Sequence, residues 1–149
     1  MNAEIITVGA DLLLCNIANA DSQFLSHDLA AFGIEVTHIS TMGADPSSLR
    51  EAIRLALGRS ELVVLAGGLG DGDDACALPV VADVLSLPLE PHEDSLERIR
   101  EYFVNTCREM PANAERQAWL PQGATVFPND HGTAPGCAID RNGQQIFLL

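Results

Sequence analysis

A glycine-rich turn followed by a run of carboxylates is the segment of this sequence with the most evident chemistry. The turn Gly67-Gly68-Leu69-Gly70 follows an apolar run, and Asp71, Asp73 and Asp74 come next. Glycines after a strand let backbone N–H groups approach an anion, and the N-terminus of a following helix adds partial positive charge. The carboxylates would repel a bare phosphate, but they suit a Mg²⁺ ion that bridges to one. The segment therefore predicts a site for a phosphate-bearing ligand, with magnesium as the candidate cofactor.

Two simpler interpretations of these carboxylates stay open. Asp73 or Asp74 is well suited to cap the following helix and to interact with its dipole, and the run is also compatible with a solvated acidic turn. In the magnesium interpretation, Asp11, Asp71 and Asp74 are the candidate metal ligands. Asp73 and Asp74 are then the candidate catalytic carboxylates. Asp11 follows the first apolar run, where a ribose contact or a capping role is also open.

A second loop, Gly132-Thr133-Ala134-Pro135-Gly136, offers backbone donors and one hydroxyl to a ligand. Taken alone, these residues are also typical of a tight turn. The histidines are scattered through different predicted elements, and Ser22 and Ser26 lack an evident His/Asp partner, so a hydrolase triad has no support. We interpret Trp119 as a packing residue.

Short apolar runs alternate with helical patterns along the chain, and this order indicates the fold class. It predicts an α/β fold, a three-layer α/β/α sandwich with a mainly parallel sheet and a C-terminal antiparallel hairpin. Ligands of such folds collect at the carboxyl ends of the strands, where both glycine loops are expected. The predicted strands cover residues 4–9, 34–39, 62–66, 124–127, 137–141 and 144–149.

The boundaries of the helices follow from capping and turn residues. The first helix is expected to be capped by Asp21 or Ser22 and to bury one apolar face, made of Phe24, Leu25, Leu29 and Phe32. Three further helices are predicted: one starts at Asp45-Pro46, one ends near Leu87, and one starts at Pro91. A short helix over 113–119 and a type I′ turn at Asn142-Gly143 are also predicted.

Composition limits the number of domains and the classes of partner. The 149 residues are 47% hydrophobic and 19% charged, which is enough for the core of a single domain over 1–149. The net charge is −13, and the eight basic residues are all arginines. Nucleic acid and anionic membranes are therefore not expected partners, and a P-loop lysine is excluded. Four cysteines without C-x-x-C spacing, and the lack of a signal peptide, favour a cytoplasmic location.

Several motifs occur in one order along almost the whole chain, and together they resemble a known family. Residues 3–19 resemble the opening AEIIxxGxELLLGxIxN of the N-terminal domain of CinA (competence/damage-inducible) proteins, a branch of the MoaB/MogA-like molybdopterin-binding fold. Residues 60–70 resemble its SDLVIxTGGLG, residues 117–126 its QAxxPxGAxV, and residues 128–136 its PNxxGTAPG. So many motifs in the same order make the resemblance specific.

The resemblance implies a domain that self-associates into a homo-oligomer and binds a phosphate-bearing ligand, either a pterin or a nucleotide such as ADP-ribose. Some full-length members of the family are metal-dependent ADP-ribose pyrophosphatases. Their amidase activity belongs to a separate C-terminal domain, which we expect to be absent here.

The sequence departs from the family pattern TGGLGPTxDDxT at the turn itself. Ala66 replaces the first Thr, Asp71-Gly72 replaces Pro-Thr, and Ala75 and Ala77 replace the second Asp and the final Thr, while Asp74 is retained. Lost hydroxyls and carboxylates remove transition-state contacts, but backbone contacts from the glycines persist. The leading hypothesis is therefore a module that binds a nucleotide or pterin weakly through an eroded catalytic loop. The alternatives are a Mg²⁺-dependent ADP-ribose pyrophosphatase and a structural subunit with a vestigial site.

Overall fold

The apolar runs of the sequence form the strands of a six-stranded sheet. The computed structural model describes residues 1–72 and 75–149. Its strands are β1 Asn2–Val8, β2 Glu35–Met42, β3 Leu62–Ala66, β4 Leu89–Pro91, β5 Trp119–Pro121, β6 Thr125–Phe127, β7 Gly136–Arg141 and β8 Gln144–Leu148. The main sheet has the order β2-β1-β3-β8-β7-β6, in which β2, β1, β3 and β8 run parallel and β7 and β6 complete an antiparallel end.

Helices cover both faces of this sheet and complete the three layers. They are α1 Ala10–Leu13, α2 Ala20–Ala31, α3 Pro46–Leu57, α4 Ala77–Leu85 and α5 Glu93–Asn105, followed by a 3-10 helix at Ala114–Ala118. Helices α3 and α4 cover a core that includes Ile6 and Leu65, and α2 covers Ile5 and Val64 on the opposite face. The predicted α/β/α sandwich with its terminal hairpin is confirmed. Within the described ranges, every helix is too short or too polar to cross a membrane.

Two local predictions at element ends are confirmed. Asp45 caps α3, with Pro46 in the first helical turn, and its Oδ2 accepts hydrogen bonds from the Ser48 N–H at 2.8 Å and hydroxyl at 2.6 Å. These two bonds favour the charged carboxylate, the hydroxyl bond more strongly, and lower the pKa of Asp45. Asn142 and Gly143 both have positive φ, +55° and +82°, as a type I′ turn between β7 and β8 requires.

The start of helix α2 differs from the prediction. Its cap is Asn19, not Asp21 or Ser22, and the Asn19 Oδ1 accepts the Ser22 N–H at 3.1 Å. The Asn19 amide also donates to Thr7 Oγ1 at 2.9 Å and to Thr41 Oγ1 at 3.2 Å. Since Thr7 lies in β1 and Thr41 in β2, this one side chain joins the helix to two strands, a tertiary role that local capping rules do not reveal.

The buried face of α2 is also narrower than predicted. Leu25 and Leu29 pack against the sheet, whereas Phe24 and Phe32 are 65% and 82% exposed. Ser22, Leu25 and Leu29 form a stripe at helical spacing, and Phe24 lies about 100° around the helix from Leu25. Phe32 follows the last helical residue, so it leaves this face altogether.

A small second sheet changes the prediction for the start of α5. Pro91 ends β4 and pairs with Trp119 of β5 in this antiparallel sheet, so it does not begin the helix. The helix begins at Glu93 and is capped by His92, whose Nδ1 accepts the Ser95 N–H at 3.3 Å. The sheet places β5 and the preceding 3-10 helix beside α4, and this arrangement forms one wall of the site described next.

Candidate ligand-binding cavity

The two glycine loops lie at one edge of the sheet, on either side of strand β8. Gly67 follows β3, and its N–H donates to the Leu149 carbonyl at 2.9 Å, directly after β8. Gly136 begins β7, where a Cβ atom would lie 3.0 Å from the Leu148 carbonyl oxygen. Parallel pairing of β3 with β8 therefore brings the two loops to the carboxyl edge, the position where α/β folds bind ligands.

The first two residues of the Gly67–Gly70 turn have a backbone that requires glycine. Gly67 has φ +95°, and a Cβ on it would lie 2.4 Å from the Val8 carbonyl oxygen. Gly68 has φ +72°, and a Cβ there would lie 3.1 Å from Val8 Cγ1 and 3.2 Å from Ala77 Cβ. The Gly68 carbonyl accepts the Ala77 N–H at 3.1 Å. Because Gly67 and Gly68 have no side chains, the turn packs directly between the end of β1 and the beginning of α4.

A cavity of about 470 Å³ opens beside this turn. Its volume lies within the range of roughly 300–1,000 Å³ that is usual for small-molecule sites. The turn and the first residues of α4 form one side, and the 3-10 helix with β4 and β5 forms the other. The lining residues are Gly68, Leu69, Gly70, Asp71, Gly72, Ala75, Leu78, Pro79, Leu89, Asn113, Arg116, Gln117 and Trp119.

The polar part of the cavity combines one cation with the glycine backbone. Arg116 lines it, is exposed, and forms no ion pair with the described residues. Asn113 fixes the opposite wall, because its Nδ2 donates to the Asp71 carbonyl. Four other arginines are paired with carboxylates, namely Arg50, Arg59, Arg98 and Arg100. In a chain of net charge −13, Arg116 places an exposed positive charge at the cavity.

The other wall contains two residues whose roles were missed from the sequence. Gln117 is 2% exposed, and its Oε1 is buried without a hydrogen-bond donor in the described part of the chain. Trp119, interpreted above as a packing residue, is 46% exposed and lines the cavity. The family-like segment QA at 117–118 was a signal for this wall, but it gave no role to either side chain.

The loop Gly132-Thr133-Ala134-Pro135-Gly136 borders a different hollow, of about 290 Å³. Gly132, Thr133 and Pro135 line it together with residues of α5 such as Arg98, which donates to Asp130 at 2.6 Å. Ala134 packs against the core, and its carbonyl accepts from Asn129 Nδ2 at 2.9 Å. The structure therefore places this loop at the same sheet edge as the first but outside the lining of the larger cavity.

The carboxylates of the predicted metal site are spread over two places. Asp71 lines the cavity, whereas Asp11 is exposed on α1, where its Oδ1 accepts from Asn16 Nδ2 at 3.3 Å. Within 1–72 and 75–149, no three His, Cys, Asp or Glu side chains come close enough to hold a metal ion. Asp73 and Asp74 lie outside the described residues. The described part supplies one carboxylate to the cavity, so the magnesium and catalytic assignments stay predictions.

Comparison with known proteins gives a match over nearly the whole chain. A family model described as "Probable molybdopterin binding domain" matches residues 4–149. A CinA-like protein of Desulfovibrio desulfuricans is 46% identical over 150 residues, which cover 100% of this chain and 35% of that protein. The chain thus spans about a third of the length of this relative.

Solved structures agree with the fold. A CinA protein of unknown function from Thermoplasma acidophilum superposes with a TM-score of 0.89 at 28% identity, covering 99% of this chain and 86% of the other. The molybdopterin biosynthesis enzyme MoaB from Thermus thermophilus superposes with a TM-score of 0.62 at 19% identity, covering 99% and 79%. The second likeness concerns the fold alone.

Proposed function

Because this chain belongs to the molybdopterin-binding domain family and is CinA-like, we propose that it binds a phosphate-bearing small molecule in the cavity beside Gly67–Gly70. The ligand is a nucleotide or a pterin. The observation that carries the proposal is that one cavity joins the glycine turn to Arg116, which forms no ion pair with the described residues. The domain is a binding module in this proposal, and its turnover is lost or weak.

The two walls offer complementary contacts to such a ligand. On one wall, Gly68 and Gly70 of the turn, and Gly72 just after it, present backbone without side chains next to the beginning of α4. A helix N-terminus carries partial positive charge, which favours a phosphate there. On the other wall, the Arg116 guanidinium can form charge-assisted hydrogen bonds to phosphate oxygens. The net charge of −13 opposes every anion at long range, so we expect weak binding that depends on these short-range contacts.

The test is a thermal-shift titration with ADP-ribose, AMP, NAD and 6-hydroxymethylpterin diphosphate, each with and without Mg²⁺. A ligand at ten times its Kd stabilises the native state by about 1.4 kcal/mol. For a domain of this size that corresponds to a rise in melting temperature of roughly 3–5 °C. Product analysis of each stabilising ligand then detects any hydrolysis.

Matched variants locate the site. Arg116→Gln removes the cavity cation, and Arg108→Gln removes an exposed arginine that does not line the cavity. The net charge changes equally in both, so only the cavity variant is expected to weaken binding, by about tenfold. Gly70→Asp adds a carboxylate next to Asp71, and among the described residues beyond its chain neighbours no atom would lie nearer than 4.0 Å to its Cβ. It is expected to abolish the shift without unfolding the domain.

The outcomes separate the hypotheses for this domain. A shift that Arg116→Gln reduces and Arg108→Gln retains, without hydrolysis, supports the binding module. Release of AMP from ADP-ribose only with Mg²⁺ would replace this proposal with the pyrophosphatase. If no phosphate-bearing compound shifts the melting temperature, the cavity is not a phosphate site and the proposal fails.

A further inference from the structure

The side-chain oxygen of Gln117 is a buried hydrogen-bond acceptor that has no donor among the described residues. The residue is only 2% exposed, and its Oε1 meets no hydrogen-bond donor among the described residues. Buried side-chain acceptors are nearly always paired, because burial removes the water that would otherwise satisfy them. The unpaired atom belongs to a residue that lines the 470 Å³ cavity. A ligand in that cavity is therefore the natural source of the donor.

The surroundings of Gln117 indicate which part of a ligand supplies that donor. Trp119 lies two residues further along the chain, lines the same cavity and keeps 46% of its surface exposed. Leu78, Pro79 and Leu89 add apolar surface to the lining. An aromatic side chain in an apolar lining favours a flat ring, whose edge carries donors in the ring plane. The glycine turn and Arg116 offer the contrasting, anion-binding surface.

We infer that Gln117 is the specificity-determining residue of the site, and that its Oε1 accepts a hydrogen bond from an N–H group of a heteroaromatic ring lying against Trp119. The inference rests on the proposed function and adds the ring to the phosphate. An adenine exocyclic amine and the amino or lactam N–H of a pterin share this chemistry. A ring that lacks such a donor leaves the acceptor unpaired and is bound less well.

A pair of nucleotides tests the hydrogen bond directly. AMP and purine riboside 5′-monophosphate differ in the exocyclic amine, and inorganic pyrophosphate reports on the phosphate contacts alone. In the unmodified protein, calorimetry is expected to give about tenfold tighter binding of AMP than of purine riboside 5′-monophosphate. Gln117→Met is expected to erase this ratio and to leave the Kd of pyrophosphate unchanged.

The stability of Gln117→Met and the binding of three other variants distinguish loss of this hydrogen bond from structural effects. Gln117→Met replaces an unpaired polar group with an apolar one of similar length, so its melting temperature without ligand is expected to equal or exceed that of the parent. Gln145→Met makes the same chemical change at an exposed position outside the cavity and is expected to retain the AMP preference. Trp119→Leu is expected to weaken both nucleotides about equally, and Arg116→Gln to weaken all three compounds.

The pterin arm identifies the source of the N–H group. If the nucleotide pair shows no preference, but 6-hydroxymethylpterin diphosphate binds at least tenfold more tightly than pyrophosphate and loses this advantage in Gln117→Met, the ring is a pterin and the inference holds. If pyrophosphate binds and neither ring gains affinity through Gln117, the inference is overturned while the proposed function stands. Failure of pyrophosphate, the nucleotides and the pterin alike overturns both.

Discussion

Replacement of Gly67 by alanine tests whether contact with β1 dictates the conformation of the turn. The Cβ of alanine would lie 2.4 Å from the Val8 carbonyl oxygen, about 1 Å inside ordinary van der Waals contact, and φ is +95°. The Gly67 N–H is also held, at 2.9 Å, by the Leu149 carbonyl, so the residue cannot simply rotate away. Relief of the contact must therefore move β1 or β3.

The magnitude combines two contributions. A positive φ destabilises a residue with a Cβ by about 1–2 kcal/mol. Forcing an extra methyl group into a packed site destabilises by a further 1–3 kcal/mol or so. We therefore expect Gly67→Ala to lower the free energy of unfolding by about 2–5 kcal/mol, which would be a large fraction of the 5–15 kcal/mol typical of a domain.

Two matched glycines separate these contributions. Gly123 has φ +79° with nothing within 4 Å of an added Cβ, so Gly123→Ala reports the backbone contribution alone. Gly70 does not adopt the left-handed φ of these glycines, and among the described residues beyond its chain neighbours no atom lies nearer than 4.0 Å to an added Cβ. Gly70→Ala is therefore expected to change stability by less than about 0.5 kcal/mol. Urea unfolding followed by circular dichroism measures all three variants against the parent, with the slope m checked for constancy.

The order of the three free energies decides the outcome. The expected order of destabilisation is Gly67→Ala, then Gly123→Ala, then Gly70→Ala. Equal values for Gly67→Ala and Gly123→Ala would refute the argument that the Val8 carbonyl restricts the turn. A normal stability for Gly67→Ala would refute the geometry of the turn itself.

The remaining predictions concern pH and assembly. The Ser48 hydrogen bonds lower the pKa of Asp45 in the folded state. The Asp45 cap therefore stabilises α3 fully above the unfolded pKa of about 3.9, and this stabilisation is lost as the pH falls through the lower folded pKa. Asp45→Ala is expected to flatten the acid side of the plot of melting temperature against pH, and a plot parallel to that of the parent would contradict this prediction. Leu14 is 70% exposed, the neighbouring side chains of Leu13 and Ile17 are also exposed in large part, and we propose that this segment contacts a second copy of the chain. Leu14→Glu is then expected to lower the molecular mass measured by light scattering. A parent protein that is already monomeric would contradict the proposal.

Predictions from sequence were accurate where a local pattern and burial have the same cause. Strand β3 is apolar because both its faces are covered, and the predicted and observed bounds of this strand coincide at 62–66. The Asn142-Gly143 turn was equally accessible, because positive φ at both central residues is a property of those residue types. Such features need no knowledge of distant contacts.

The sequence failed where a distant segment decides the local structure. Asn19 caps α2 because Thr7 and Thr41 hold its amide, and Pro91 extends a strand because Trp119 pairs with it. The cavity illustrates the same limit. The glycine turn was found from its motif, but its opposite wall comes from a 3-10 helix some 45 positions later, whose proximity only the folded chain shows. An unpaired acceptor such as Gln117 Oε1 has no sequence signature at all.

The departures from the family pattern affect side chains, whereas the cradle proposed for phosphate consists of backbone. Ala66, which stands where the family pattern has threonine, is buried at the end of β3 and pairs with Thr7. The strand is therefore intact without the threonine hydroxyl. The conformation of the turn depends on Gly67 and Gly68, which are both retained. Binding and turnover in this fold would then depend on different atoms, and substitutions can remove hydroxyls and carboxylates needed for chemistry while the backbone donors and Arg116 remain. The proposed module, which binds a phosphate-bearing ligand with little or no turnover, would be a physical consequence of that separation.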